Sequence, residues 1–145
     1  MGFITIIINR TYLSNMVSLL IIVKDRRFLF CKRRPDDDVW GGYWGLPGGT
    51  VEENETPVEG MIREVEEELG ITIMDFKFLH KYPYGTNKVM NVYVHDNNDF
   101  DPSTIRLNEE HTEYKFFTYY EVDNNKESFV PSTTKMLLDY IKTQS

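Results

Sequence analysis

Residues 49–71 read GTVEENETPVEGMIREVEEELGI, and this stretch carries the strongest local signals in the sequence. Thr56, followed at once by a proline and three positions later by Glu59, is typical of a capped helix start. Gly70 supplies the matching stop signal. Together these signals predict a helix over residues 56–70.

Apolar residues follow one side of this helix at the spacing of a buried stripe: Val58, Met61, Ile62, Val65 and Leu69. In the same register Glu64, Glu67 and Glu68 stand at i, i+3 and i+4, so their carboxylates share another side, with Cβ atoms about 5–6 Å apart. Like charges at this spacing destabilise a helix, and a hard divalent cation such as Mg²⁺ removes that cost. Arg63 stands four residues before Glu67, within reach to orient its carboxylate.

The same segment concentrates the charge of the chain. The 145 residues carry a net charge of −7, and residues 52–68, with eight acids and one base, account for all of it. Such an excess marks either a solvated acidic face or a site that recruits cations. The absence of a basic stripe argues against general nucleic-acid binding, and no apolar run is long enough to cross a membrane. A single cysteine, Cys31, forms no intrachain disulfide, which favours a cytoplasmic location.

Segments on both sides of the acidic helix have the composition and alternation of strands: residues 3–9, 16–23, 28–32, 77–82, 89–95 and 114–122. Residues 132–142 predict a second helix. This order predicts one α/β domain over residues 1–145, with a mixed sheet packed between helices. The apolar N-terminal strand could also pair with a second copy of the chain, which would give a homodimer.

The spacing from Gly49 onwards resembles the signature of the Nudix hydrolase superfamily. Five residues separate Gly49 from Glu55, and seven more separate Glu55 from the run REVEEELGI, which begins at Arg63 and ends at Ile71. The chain matches that signature at every defined position, including the apolar ones. The resemblance implies an α/β/α sandwich. It also implies Mg²⁺- or Mn²⁺-dependent hydrolysis, by metal-activated water, of a diphosphate bond in a nucleoside diphosphate linked to another moiety.

By position, the resemblance makes Glu64, Glu67 and Glu68 the metal ligands, with the Gly49 carbonyl completing the metal shell. Glu67 is the first choice for the catalytic base, and Glu64 is the second.

Arg63 belongs to the same catalytic group, because it orients Glu67, and with Glu55 it holds the loop and the helix in register. Gly60 stands where the family usually has a small alanine, which weakens the helix by roughly 1 kcal/mol.

A second acidic group, EEHTE, occupies residues 109–113. Several Nudix subfamilies look similar here, and an acid from this loop can reach the metal centre as a ligand or a base. The resemblance favours Glu113 for that role, with Glu110 next. His111 is expected to be a hydrogen-bonded structural residue.

Substrate contacts are expected near the glycine-rich bend that begins at Trp44. Arg33 and Arg34 end a strand where phosphate oxygens would lie, and Trp44 could stack on a base. The substrate stays open among nucleoside triphosphates, dinucleoside polyphosphates, ADP-ribose and nucleotide sugars, because side chains outside the signature select it. The alternatives are a non-catalytic nucleotide-binding module of the same fold, which the intact glutamates disfavour, and an mRNA-cap hydrolase, which would need a basic channel.

Overall fold

A hairpin opens the part of the chain that the computed structural model describes, residues 15–144. A two-residue turn joins strand β1 (Met16–Lys24) to strand β2 (Arg27–Arg33). Asp25 and Arg26 have φ values of 51° and 62°, as a tight two-residue hairpin turn requires. The strands predicted over residues 16–23 and 28–32 are therefore confirmed, and they pair as a hairpin.

In the described part of the chain, seven strands form one mixed sheet. The other five are β3 (Trp44–Gly45), β4 (Gly48–Thr50), β5 (Lys77–Tyr84), β6 (Lys88–Asp96) and β7 (His111–Phe117). The strand order is β3-β2-β1-β6-β5, with β4 also paired to β1 and β7 to β2. β1 and β6 run parallel, whereas the other pairs are antiparallel.

Helices cover both faces of this sheet. Between residues 15 and 144 the α-helices are α1 (Pro57–Leu69), α2 (Tyr119–Asn124) and α3 (Thr133–Lys142). The buried side of α1 packs with Leu20 and Ile22 of β1, whereas α3 packs with Ile21 and Val23 of the same strand. Successive residues of β1 thus enter two different cores, as in a strand buried on both faces. The predicted α/β/α sandwich is confirmed.

Helix α1 begins and ends where the sequence predicts. The Thr56 hydroxyl accepts the Glu59 N–H at 3.1 Å, and the Glu59 carboxylate accepts the Thr56 N–H at 2.8 Å. Gly70 closes the helix with a left-handed φ of 68°. These bonds satisfy backbone donors at the helix start that would otherwise have no partner.

The strand predicted over residues 114–122 is wrong in its second half. β7 ends at Phe117, and Thr118 then caps α2 through a second capping box. The Thr118 N–H donates to Glu121 at 2.8 Å, and the Thr118 hydroxyl accepts the Glu121 N–H at 3.2 Å. These two bonds favour a helical turn over the strand propensity of the tyrosines that follow.

Two expectations concern the ends and the surroundings of the chain. The strand predicted over residues 3–9, and the homodimer contact inferred from it, lie outside the described residues. Within residues 15–144, no helix combines the length and the apolar character needed to span a bilayer.

Candidate active site

Two successive glycines of β4 lie against two glutamates of α1. The Gly48 N–H donates to Glu68 Oε1 at 2.9 Å. Gly49 is so close to Glu64 that a Cβ added to it would lie 2.6 Å from the Glu64 Cδ. Any larger residue at position 49 would displace that carboxylate, so this close approach requires glycine.

Arg63 joins the loop before α1 to the acidic side of the helix. Its Nε donates to Glu55 Oε2 at 2.5 Å, and its Nη2 donates to Glu55 Oε1 and to the Thr50 carbonyl, each at 3.0 Å. Its Nη1 donates to Glu64 Oε1 and to Glu67 Oε1, each at 3.1 Å. The hydrogen bonds from Arg63 lower the pKa of Glu55. These are the contacts that a residue holding loop and helix in register must make.

The three glutamates of the predicted metal site differ widely in burial. The side chain of Glu67 is 54% exposed, that of Glu64 is 16% exposed, and Glu68 is only 3% exposed. Burial raises the pKa of Glu64, and it raises the pKa of Glu68 well above its usual range despite the hydrogen bond from Gly48. Positive charge beside Glu64 and Glu68 would therefore be strongly stabilising.

Glu68 lies beside two residues of the second acidic group, and the charge of Glu64 on its own helix also acts on it. Ligand atoms of Glu68, Glu110 and His111 all lie within 4.8 Å of one another. Backbone hydrogen bonds hold this segment in place: the Asn108 N–H donates to the Glu68 carbonyl at 3.2 Å, and the Arg34 N–H donates to the Glu110 carbonyl at 3.0 Å.

Glu113 lies elsewhere. It stands opposite Lys32 in the pairing of β7 with β2 and is exposed. Its neighbour Tyr114 packs on the α1 side, so strand alternation directs Glu113 toward the α3 side of the sheet. The structure does not bring Glu113 into the group around Glu68, and a catalytic role for Glu113 stays a prediction.

The predicted substrate-binding residues are also divided between the two faces of the sheet. Arg33 donates from Nη2 to Asp37 at 3.0 Å, whereas its buried Nε has no hydrogen-bond partner among the described residues. Arg34 is exposed in a loose ion pair with an aspartate of the next loop. Trp44 packs against the core on the α3 side, away from the acidic side of α1. Of these three residues, Arg33 is therefore the one whose charge acts on Glu68 and whose Nε–H has no hydrogen-bond partner among the described residues.

His111 is the site residue whose environment the sequence does not reveal. It is 9% exposed, and its Nδ1 lies 3.1 Å from Asn108 Oδ1, which agrees with the expected hydrogen-bonded residue. Burial, and next the charge of Arg33, lower the pKa of His111, so the ring is neutral at pH 7. The Glu-His pair at residues 110–111 is the only signal in the sequence for this group.

A mixed sheet between helices, with an acidic helix against a glycine-rich strand, defines the class of fold and its candidate cation site. A family profile described as "NUDIX domain" matches residues 14–140, and the chain belongs to this family. Among solved structures, the MutT protein from Methanosarcina mazei Go1 is 25% identical with a TM-score of 0.73, covering 90% of this chain and 94% of that one. A NUDIX hydrolase from Nitrosomonas europaea, 18% identical, has a TM-score of 0.75 and 90% coverage of both chains.

Sequence relatives match over shorter stretches. An 8-oxo-dGTP diphosphatase of Proteus vulgaris is 36% identical over 67 residues, which are 43% of this chain and 60% of that protein. The nucleoside triphosphatase NudI of Enterobacter sp. (strain 638) is 44% identical over 50 residues, covering 34% of this chain and 36% of that protein. The chain thus matches no more than 60% of the length of these relatives.

Proposed function

We propose that this chain hydrolyses a diphosphate bond in a nucleotide and uses a divalent cation, Mg²⁺ or Mn²⁺, to do so. The observation that carries the proposal is the acidic side of α1, where Arg63 holds Glu64 and Glu67 beside the glycines of β4. Membership of the NUDIX family and relatives named for nucleotide hydrolysis support it.

The donor set suits a hard cation. Glu64, Glu67 and Glu68 would hold the ion through carboxylate oxygens, with the Gly49 carbonyl as a further ligand, and Mg²⁺ and Mn²⁺ both accept such ligands. A diphosphate repels hydroxide because both are anions. When bound, the cation neutralises phosphate oxygens and lowers the pKa of water.

Glu67 is the proposed general base. It is the most exposed of the three glutamates, and its one hydrogen bond from Arg63 fixes its direction without covering the carboxylate. Glu64 is the alternative, but Gly49 lies against its carboxyl group and limits the approach of water. In this proposal Glu67 takes a proton from the attacking water, and Arg63 is a positioning residue.

Arg33 is the proposed phosphate contact. A buried N–H without an acceptor costs about 1–3 kcal/mol, and a phosphate oxygen would supply the acceptor that Arg33 Nε lacks among the described residues. Arg34 and Trp44 are further candidates for substrate contacts, Arg34 because of its exposed charge. We favour a nucleoside triphosphate as the substrate because the two relatives are named for activities on such nucleotides.

The proposed partner is a small nucleotide, not a membrane or a nucleic acid in general. The overall charge of −7 supports this choice, since an acidic chain gains little from counterion release on a nucleic acid.

We also propose a cytoplasmic location. Cys31 is free and buried, and burial raises the pKa of its thiol, so this side chain stays protonated and unreactive.

A substrate panel tests the proposal. Nucleoside triphosphates including 8-oxo-dGTP, dinucleoside polyphosphates, ADP-ribose, nucleotide sugars and a capped RNA are incubated in ¹⁸O-labelled water with Mg²⁺ or Mn²⁺, and the products are separated and weighed. We expect cation-dependent turnover of a nucleoside triphosphate, and the labelled product identifies the phosphorus that is attacked. Nucleotide binding without turnover of any compound would support the non-catalytic module, and turnover of capped RNA alone would support the cap hydrolase.

A further inference from the structure

Ser18 interrupts an otherwise apolar part of β1. Residues 17–23 read VSLLIIV, and serine is the one polar residue among them. Ser18 is fully buried and lies on the same face of the strand as Leu20 and Ile22, which pack with α1. A buried hydroxyl costs free energy unless it finds a hydrogen-bond partner. The partner of this hydroxyl therefore indicates why a serine stands in the strand.

The partner lies at the start of the acidic helix. The Ser18 hydroxyl donates to the carbonyl of Pro57, the first residue of α1, at 2.8 Å. Ser18 also pairs with Gly49 of β4 on one side and with Asn91 of β6 on the other. Its carbonyl lies so close to Gly48 that a Cβ there would clash with it. Ser18 thus contacts both the strand that carries the two glycines and the helix that carries the glutamates.

Two hydrogen bonds also join β4 to α1 directly, and each involves a side chain of the proposed cation site. The Gly48 N–H donates to Glu68 Oε1 at 2.9 Å, and Arg63 Nη2 donates to the Thr50 carbonyl at 3.0 Å. Glu68 is a proposed ligand, and Arg63 also donates to the other two proposed ligands. A bound cation would compete for these side chains. The hydrogen bond from Ser18 ends on a main-chain carbonyl instead, so a cation held by the glutamates leaves it in place.

We propose that Ser18 is a positioning residue for the cation, because its hydrogen bond to Pro57 fixes how close Gly49 lies to the glutamates of α1. The tolerance is small, since a Cβ added to Gly49 would lie 2.6 Å from the Glu64 Cδ. Loss of the hydroxyl would let the strand and the helix separate, and ligands on the two elements would then hold the ion less tightly. The inference rests on the proposed cation site. Its test measures cation binding rather than turnover, so its failure and a failure of the hydrolase proposal can be told apart.

Mn²⁺ is the probe for the test. The full chain, Ser18→Ala and Thr133→Ala are titrated with Mn²⁺ without substrate, and free Mn²⁺ is measured by electron paramagnetic resonance. Thr133 is the matched control, because its buried hydroxyl also donates to a main-chain carbonyl, that of Val130, at 2.6 Å, but at the start of α3. Ser18→Ala should weaken Mn²⁺ binding about tenfold, as removal of a group that orients metal ligands does. Thr133→Ala should leave the affinity unchanged. Both variants should melt about 2–4 °C lower, because each loses one buried hydrogen bond.

An unchanged Mn²⁺ affinity in Ser18→Ala overturns the proposal, since the hydroxyl would then contribute to stability alone. An equal loss of affinity in Thr133→Ala also overturns it, because the effect would follow stability and not position. If circular dichroism shows that Ser18→Ala does not fold, Ser18→Cys decides. It nearly keeps the size of the side chain but offers only a weak S–H donor, so an unchanged affinity there overturns the proposal too.

The unmutated chain separates the two proposals. Mn²⁺ binding without turnover of any nucleotide overturns the hydrolase proposal and leaves the comparison of Ser18→Ala with Thr133→Ala to decide the role of Ser18. The absence of Mn²⁺ binding by the unmutated chain overturns both.

Discussion

Residues 49–71 and residues 108–113 both supply acids to one candidate site, but by different physical routes. In the first region the pitch of α1 alone sets Glu64, Glu67 and Glu68 on one side, and Arg63 links two of them. In the second region the pairing of β7 with β2 decides which acids face α1. A shift of one residue in a strand exchanges its two faces, whereas a helix keeps its spacing wherever it packs. The first region is thus fixed by local geometry and the second by tertiary contacts.

The largest expected effect is in the locally fixed region. Glu67→Gln should lower kcat about 10²- to 10⁴-fold, which is the usual contribution of a general base. The melting temperature should not change, because the side chain is exposed. Steady-state kinetics and thermal melting measure the two quantities. Glu64→Gln is the companion variant, and a larger loss of kcat there than in Glu67→Gln would transfer the role of base to Glu64.

The second prediction separates the two acids of the tertiary region. Glu110→Gln should lower kcat about tenfold or more because Glu110 lies beside Glu68. Glu113→Gln should lower kcat less than about threefold because Glu113 points to the other face of the sheet. Both positions are exposed, so neither substitution is expected to impair folding more than the other. The opposite order of losses would restore Glu113 as the ligand or base.

The third prediction concerns stability at the contact between the two regions. Burial raises the pKa of Glu68, so the folded state holds a proton that the unfolded chain releases above pH about 4.3. Stability without metal therefore falls as pH rises through the folded pKa. Glu64 and Glu110 reinforce this effect, and Arg33 opposes it. Glutamine at position 68 keeps an acceptor for the Gly48 N–H but carries no charge.

Without metal, Glu68→Gln should therefore melt above the unmutated chain at pH 8, by about 2–4 °C for each kcal/mol gained, and the difference should shrink toward pH 4. Mn²⁺ should stabilise the unmutated chain more than the variant. Melting curves across pH in a chelating buffer, and then with Mn²⁺, measure both effects. A variant that melts lower than the parent at pH 8 would contradict the account.

The smallest expected effect lies inside α1. Alanine favours a helix over glycine by about 1 kcal/mol, but a Cβ at position 60 would lie 3.1 Å from Val51 Cγ2 and 3.3 Å from Glu55 Oε1. Gly60→Ala should thus change the free energy of unfolding by less than about 0.5 kcal/mol, as measured in urea. A gain near 1 kcal/mol would show that Val51 yields freely, and the close packing would not then explain the glycine.

Local signals explain which parts of the fold the sequence predicts. The capping box and the apolar stripe of α1 act over a few residues, and the helix predicted from them is confirmed. Thr118 and Glu121 form the same capping box, but two tyrosines between them favour a strand, and the helical turn was therefore not predicted. The orientation of Glu113 depends on which face of β7 meets α1 once β7 has paired with the distant strand β2, and spacing along the chain does not encode this.

Arg63 gives the acidic side of α1 a counter-ion of its own. One edge of its guanidinium, Nε and Nη2, is anchored on Glu55 and Thr50, and only Nη1 reaches Glu64 and Glu67. A divalent ion bound by those two glutamates would compete with Nη1 alone. When the divalent ion binds or leaves, one counter-ion of the glutamates replaces another while α1 stays folded. The ion must replace the two hydrogen bonds from Nη1, and this requirement lowers the affinity of the site for the ion.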